Sequence, residues 1–380
     1  MKKPIRVLHV LGAMERAGIE TWLMHLLRNI DRDRYSMEFL VLTDRRAAYD
    51  DEIESLGSKL HVCLSPSSPL QFSRKFLRVL REQGPFDVIH SHVHYYSGLI
   101  LRLSALAGAP VRIAHSHTDT RLVDAASPLP RRLYMRLSRE WIRRYATRRL
   151  AASVPAADSL FGPDWRSDPA TSIIYCGLDF APFGVQVDRA AVRRELGLGE
   201  SDFVVGHVGR FVPPKNHYLL LRIHAEILRL RPDARLLLIG GGPLEKDIRE
   251  TANRMGTADR LCFAGDRPDV ARLMLGAMDV FVMPSLFEGL GLAAVESQAA
   301  GLPTILSSGV PPEADTECGL VRFVPVGASP SNWARRVLEH AKQTSVRQAD
   351  ALACVIKSRF NIQRSIPAIC QLYSHGLEPQ

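Results

Sequence analysis

The 380-residue chain predicts an α/β protein of two doubly wound, parallel-sheet domains. Three observations carry that expectation. Short β-branched apolar runs alternate with amphipathic stretches along nearly the whole length, the pattern of a parallel sheet covered by helices on both faces. The alternation breaks once, at CGLDFAPFG (residues 176–184), and then restarts. A content of 46% hydrophobic and 23% charged residues suffices for two cores and excludes disordered, collagen-like and disulfide-scaffold chains.

In the first series, Ile5–Leu11, Glu38–Leu42, Lys59–Leu64, Asp87–His90, Val111–His115 and Arg149–Ser153 read as buried strands. Periodic segments such as Glu20–Ile30, Pro69–Arg81 and Tyr95–Ala107 lie between them as helices. The second series has strands at Phe203–Val208, Arg235–Ile239, Arg260–Phe263, Val280–Met283 and Thr304–Leu306, with helices at Tyr218–Leu230 and Leu244–Met255. The tail, Phe360–Tyr373, has helical spacing. Rossmann-like domains over 1–178 and 179–360 and a helical tail over 361–380 follow. Ligands of such sheets bind at strand carboxyl ends, which directs the search there and to a cleft between the domains.

Lys and Arg outnumber Asp and Glu by 49 to 40, and the excess is uneven: net +7 over residues 1–180 against +2 over 181–380. An anionic partner of the first half is expected: a phosphate, a nucleic acid or a membrane surface. Arg6 and His9 interrupt the opening apolar run, which is too short for a signal peptide, and no run approaches the length of a membrane span. The expected location is the cytoplasm, at most peripheral at the inner face of its membrane. The six cysteines show no CxxC pair and no framework spacing, so thiols in a reducing compartment are expected.

Several strand ends carry chemistry. Gly12 and Gly18 flank the turn after the first strand, where backbone amides can approach an anion. Arg210 and Lys215 follow the strand end in HVGRFVPPKNH, a fork and a point charge suited to a diphosphate, or else a solvated loop. In MPSLFEGLGLAAVES, Gly289 and Gly291 turn a strand into a helix whose first amides, at Gly291, Leu292 and Ala293, suit an anion. Glu288 and Glu296 beside that site suit neutral hydroxyls.

Histidines cluster at two further strand ends, His90, His92 and His94 on one expected face and then His115 and His117. With no cysteine nearby, a substrate ligand is favoured over a metal. Residues Arg131–Arg149 hold eight arginines against Glu140, with Leu133, Leu137, Trp141 and Tyr145 recurring every four residues. That segment reads as an amphipathic helix that either lies on anionic lipid or packs its stripe on the sheet. No nucleic-acid recognition motif is present, and nucleic acid is set aside.

Taken together, the Gly-rich first loop, DVIHSH, GRF…K and FEGLGLAAVES resemble glycosyltransferase family 4, which has the GT-B fold. The resemblance spans nearly the entire chain and is greatest to bacterial capsular and exopolysaccharide transferases, through GIET, RIAHSHTD, GHVGRF and KNH. It implies two domains facing a cleft, with a C-terminal helix crossing back to the first. It further implies a retaining, metal-independent hexosyltransferase that needs no cofactor and takes a UDP- or GDP-sugar, UDP being favoured. The acceptor would be a saccharide or a polyprenyl-linked molecule. By position, Arg210 and Lys215 hold the diphosphate with help from amides at Gly12, Gly18, Gly289, Gly291 and Leu292. Glu296 contacts the ribose, Glu288 the donor sugar, His92 sits beside that sugar, and His115 and His117 lie on the acceptor side.

Two departures from the family stand out. Cys176 replaces the usual Asn of Asn-Gly-Ile/Val-Asp, and EGLG is followed by Ala293 and Ala294 where Pro is frequent. A nucleotide-sugar epimerase, a glycoside phosphorylase and a non-catalytic nucleotide-sugar binder remain as alternatives on the same architecture.

Overall fold

The computed structural model describes residues 3–64, 68–375 and 377. They form two compact units, Met1–Leu178 with Ile362–Gln380, and Asp179–Asn361. The last three residues of the expected tail, 378–380, lie outside the described residues.

The first unit contains strands β1 (Ile5–Leu11), β2 (Tyr35–Val41), β3 (Leu60–Val62), β4 (Val88–Ser91), β5 (Val111–Ser116), β6 (Arg148–Ala151) and β7 (Thr171–Ile173). They pair in parallel in the order β3-β2-β1-β4-β5-β6-β7, so the order reverses between β1 and β4. Such sheets are buried on both faces, and β1 is buried without alternation from Val7 to Leu11 for that reason. Leu8 and Val10 of β1 pack with Leu40, Phe72, Phe76 and Ile89. The β1–β4 register sets His9 level with His90.

Helix Ile362–Ser374 belongs to this unit although it ends the chain. Its Tyr373 is fully buried, and Tyr35 Oη lies 3.0 Å from Ser374 Oγ. The helix is entered through a hydrogen bond from the Ile362 N–H to Leu178 O.

The second unit contains β8 (Phe203–Val208), β9 (Ala234–Ile239), β10 (Leu261–Gly265), β11 (Val280–Met283), β12 (Thr304–Ser307) and β13 (Val321–Val324) in the parallel order β10-β9-β8-β11-β12-β13. Trp333, Leu236, Leu238, Val280, Val282 and Ile305 make its core. Asp279 ties the strands at their amino ends, accepting from Arg193 Nη2 and the Val204 N–H at 2.8 Å each.

Four features differ from expectation. The strands β7 and β13 had no signal, being short and partly exposed. Helix Leu129–Tyr145 stops before Arg148 and Arg149, which lie in β6, where Arg149 pairs with Asp168. Its buried face is Met135, Ser138 and Ile142, while Leu133 and Leu137 of the expected stripe are exposed. Finally, Cys318 and Cys354, 36 residues apart, form a disulfide in the second unit, a pairing the cysteine spacing does not signal; Cys63, Cys176, Cys262 and Cys370 are free.

Gly177 tests the seating of the last helix. A Cβ there would lie 2.3 Å from Ser365 Oγ and 2.7 Å from Ile362 Cα, whereas one at Gly12 would meet nothing within 4 Å. Gly177→Val should therefore lose about 1–3 kcal/mol of stability in urea unfolding, and Gly12→Ala should stay near wild type.

Candidate functional site

In the second unit, two loops at strand carboxyl ends are braced against each other. The loop after β8 carries Arg210 and Lys215, and its 3-10 turn Pro213–Lys215 ends at Asn216 in the left-handed region (φ 55°). The loop after β11 carries Ser285 and Glu288. The Leu286 N–H donates to Pro214 O at 2.7 Å, and Asn216 Nδ2 donates to Pro284 O at 3.1 Å. Across these braces Lys215 Nζ donates to both oxygens of Glu288, at 2.7 and 2.8 Å, and Ser285 Oγ donates to Glu288 Oε1 at 2.6 Å. Both charges are largely removed from solvent, with 21% and 10% of their side chains exposed, so each holds the other in place. The Arg210 side chain is exposed and has no ion pair among the described residues.

A third loop, unnoticed in the sequence, shapes the first. Residues Gly240, Gly241 and Gly242 follow β9, with φ of 125° at Gly240 and 153° at Gly242. A Cβ at Gly240 would stand 2.3 Å from Gly209 O, and one at Gly242 would stand 2.8 Å from Phe211 N. Glycine thus lets the two loops touch backbone to backbone, and the Phe211 N–H donates to Gly241 O at 2.8 Å. The run GGGP was the available signal.

Beyond Glu288 the chain turns at Gly289 and Gly291 into helix Leu292–Ala299. Gly291 is its N-cap, with φ 85°. The first amides of the helix, aligned with its dipole, suit an anion. Glu296 lies one turn in and is half-buried. Its carboxyl has no side-chain partner among the described residues, and burial pushes it up to about 7. An unpartnered carboxylate of this kind suits a ligand that donates O–H groups.

In the first unit, Gly12 follows β1 and Gly18 opens helix Gly18–Asn29. The structure brings His90, His92, His115 and His117 together and adds His9, which in the sequence only interrupts the apolar run of β1. His9 Nδ1 lies 3.0 Å from His92 Nε2, and His92 Nδ1 lies 2.9 Å from His117 Nε2. A second row runs from Tyr373 Oη to His90 Nδ1 at 3.0 Å and from His90 Nε2 to His115 Nδ1 at 3.1 Å. Trp22 meets the rings of His90, His92, His115 and His117. Burial keeps all five imidazoles neutral, pushing His9 and His117 down to about 3 and the others well below the usual range.

Both ring nitrogens of His92 are therefore engaged inside the cluster. His94 is not part of it, contrary to the one-face expectation. The strand ends at Ser91, and His94 (φ 49°) opens a 3-10 turn. Cys176 is buried, with Sγ 3.9 Å from His117 Nδ1, and burial raises its thiol.

On helix Leu129–Tyr145, Leu129, Leu133, Tyr134 and Leu137 are exposed beside Arg131, Arg132 and Arg136. Arg139 is not a surface charge of the same kind, since it donates to Tyr95 Oη, Ser159 O and Leu160 O. A groove of 890 Å³ along this helix is lined by Leu133, Arg136, Leu137, Leu160, Phe161 and Trp165 among others. No helix of the described residues is long and apolar enough to cross a membrane.

Comparison with known proteins places these features in context. Residues 188–349 match the family model of glycosyl transferases group 1, and residues 17–171 match that of the glycosyl transferase 4-like domain. A Bacillus subtilis protein, EpsF, named as a glycosyltransferase, is 33% identical over 378 residues, covering 98% of this chain and 97% of its own. An Escherichia coli UDP-Gal:alpha-D-GlcNAc-diphosphoundecaprenol alpha-1,3-galactosyltransferase is 30% identical over 238 residues, 60% of this chain and 59% of that one. In fold, the chain is similar to Anabaena Alr3699/HepE, crystallised with UDP and glucose. The TM-score is 0.80 at 20% identity, over 98% of this chain and 100% of that one.

The raised carboxyl of Glu296 sets a pH dependence. Its folded-state pKa of about 7 lies above the ordinary 4.5, so the folded protein holds a proton that the unfolded chain releases between those values. Stability should therefore fall as pH rises from 4.5 through about 7, by up to about 3 kcal/mol. Glu296→Gln should flatten that slope in urea midpoints compared at pH 5 and pH 8.

Proposed function

The chain belongs to the glycosyltransferases of the group 1 and 4-like type, and from that premise we propose that it transfers a sugar from a nucleoside-diphosphate sugar to a saccharide or polyprenyl-linked acceptor, with retention and without a metal. The observation that carries this reading is the braced Lys215–Glu288 pair, on the loop that also carries Arg210 and on the loop that leads into the helix bearing Glu296. A donor diphosphate competes with Glu288 for the Lys215 ammonium. When phosphate takes the ammonium, Glu288 is freed to accept O–H groups of the donor sugar. Arg210 adds a bidentate fork, and the two cations together neutralise the charge that grows on the leaving diphosphate, the task a divalent ion performs elsewhere.

Glu296 accepts from ribose hydroxyls, and the amides at Gly291 and Leu292 add positive potential. No group here acts as a covalent nucleophile in this scheme, which fits displacement on one face of the sugar. His92 beside the sugar, and His115 and His117 on the acceptor side, enter through the family resemblance. UDP is the favoured nucleotide, in keeping with the UDP of the Anabaena structure, and exopolysaccharide or capsule assembly is the favoured setting.

Arg210→Ala and Lys215→Ala should each lower kcat/KM by about 10²–10³-fold while the variants stay folded. Excess EDTA should leave wild-type turnover within a factor of about two. Near-normal rates in both variants, or a loss on chelation restored by magnesium or manganese, would overturn the scheme. Nucleoside diphosphate should appear with acceptor present and not without it, which separates transfer from epimerisation.

The exposed Leu133, Leu137 and Arg131, Arg132 and Arg136 support a second element of the reading, contact with the anionic cytoplasmic face of a membrane carrying a lipid-linked acceptor. Each basic residue near anionic lipid contributes on the order of 1 kcal/mol, screened by salt. Wild type should sediment with anionic vesicles at low salt and leave them at high salt. Charge reversal at Arg132 and Arg136 should abolish sedimentation without changing donor affinity; Arg139 is avoided because its bonds hold the helix. Indifference of wild type to vesicles at low salt would point to a soluble acceptor.

A further inference from the structure

Five buried imidazoles at the carboxyl ends of neighbouring strands are more than the transfer scheme uses. We propose that His9, His90 and His92 form a binding site for one copper(I) ion. One ring nitrogen from each of the three lies within 4.8 Å of the others, and all three residues are fully or nearly fully buried. Ligating nitrogens about 2 Å from an ion stand roughly 3.5 Å apart, so small ring rotations convert the present spacing into a coordination shell.

The protons have places to go. Among the described residues, His9 Nε2 has no hydrogen-bond partner. The ring can carry its single proton there and turn the Nδ1 lone pair toward His92 Nε2. His92 then keeps its proton on Nδ1 and donates it to His117 Nε2, at 2.9 Å. His90 offers one nitrogen to the ion, and the other stays hydrogen-bonded to Tyr373 Oη or to His115 Nδ1. His92 and His90 thus each have an outer partner that fixes ring orientation, the usual arrangement behind a metal-ligating histidine. The neutral state of all three rings leaves their lone pairs available. His92 has one lone pair, so the overlapping set His92, His115 and His117 cannot fill at the same time, and the stoichiometry is one.

The identity of the ion follows from charge. Among the described residues no carboxylate contacts these rings. The cost of burying an ion rises with the square of its charge, so a monocation is favoured over a dication where no counter-charge is present. Copper is an ion that imidazole binds well, and as copper(I) it is satisfied by two or three ligands without a water.

The test is anaerobic titration of the full-length chain with copper(I) against bicinchoninate, with X-ray absorption on the product. Wild type should retain one copper per chain with an imidazole nitrogen shell. His9→Gln should bind at least tenfold more weakly, His117→Gln should weaken binding by about 10–100-fold through the loss of orientation, and Cys176→Ser should match wild type. The proposal is overturned if the folded wild type retains no copper, if the shell is sulfur, if zinc(II) binds one-to-one where copper(I) does not, or if a folded His9→Gln variant binds as well as wild type. Should that variant not fold, the wild-type stoichiometry and shell decide alone. None of these readouts depends on transferase activity.

Discussion

A half-buried ammonium needs a fixed counter-charge, and in the second unit that need organises two loops that the chain separates by more than 70 residues. Lys215 and Glu288 are held by both carboxylate oxygens, and the backbone around them is cross-linked by Leu286 to Pro214 and by Asn216 to Pro284. Removing either partner leaves the other charge without its counter-ion in a poorly solvated place, a larger loss than breaking an exposed pair. The pair therefore acts as a template: it sets the loops at their working separation before any anion arrives, so less ordering is left for binding to accomplish. The Gly240–Gly242 turn packs backbone to backbone against the same loop at Gly209 and Phe211.

The first unit meets a different constraint. Parallel pairing places equivalent positions of neighbouring strands side by side, and here those positions are histidines. A buried imidazole is tolerable when neutral and hydrogen-bonded, so the rings bond to one another in two rows, with Tyr373 closing one of them. Cys176, in place of the Asn that the family resemblance leads one to expect, lies at the end of the other row. A small thiol there tolerates the apolar surroundings, where an amide would need up to four partners.

Much of this was legible in the sequence because it is local. Strand runs such as Ile5–Leu11 and Phe203–Val208 carry their burial in their own composition, and glycine at 291 marks a positive φ before a helix. What escaped was non-local or weakly apolar. His9 reads as a blemish in an apolar strand until the β1–β4 register sets it beside its partners. The strands β7 and β13 are short, edge-placed and partly exposed, so neither alternation nor hydrophobicity marks them. The helix Leu129–Tyr145 is legible as amphipathic, but its four-residue stripe drifts around the cylinder, and Met135, Ser138 and Ile142 take the core-facing side. The disulfide between Cys318 and Cys354 depends on a fold that brings a loop and a helix together, which spacing alone cannot show.

The seating of helix Ile362–Ser374 bears on how the protein is made. The first unit is discontinuous: its sheet is complete by residue 178, but Tyr373, which fills a fully buried place against Tyr35 and His90, is synthesised only after the whole second unit. At typical elongation rates the nascent sheet waits roughly 10–40 s on the ribosome with that face uncovered. Within that interval the second unit, continuous in sequence, can fold on its own, and helix Ile362–Ser374 then closes the older unit once it has been synthesised. The order of completion is the reverse of the order of synthesis: the unit begun first is the one finished last.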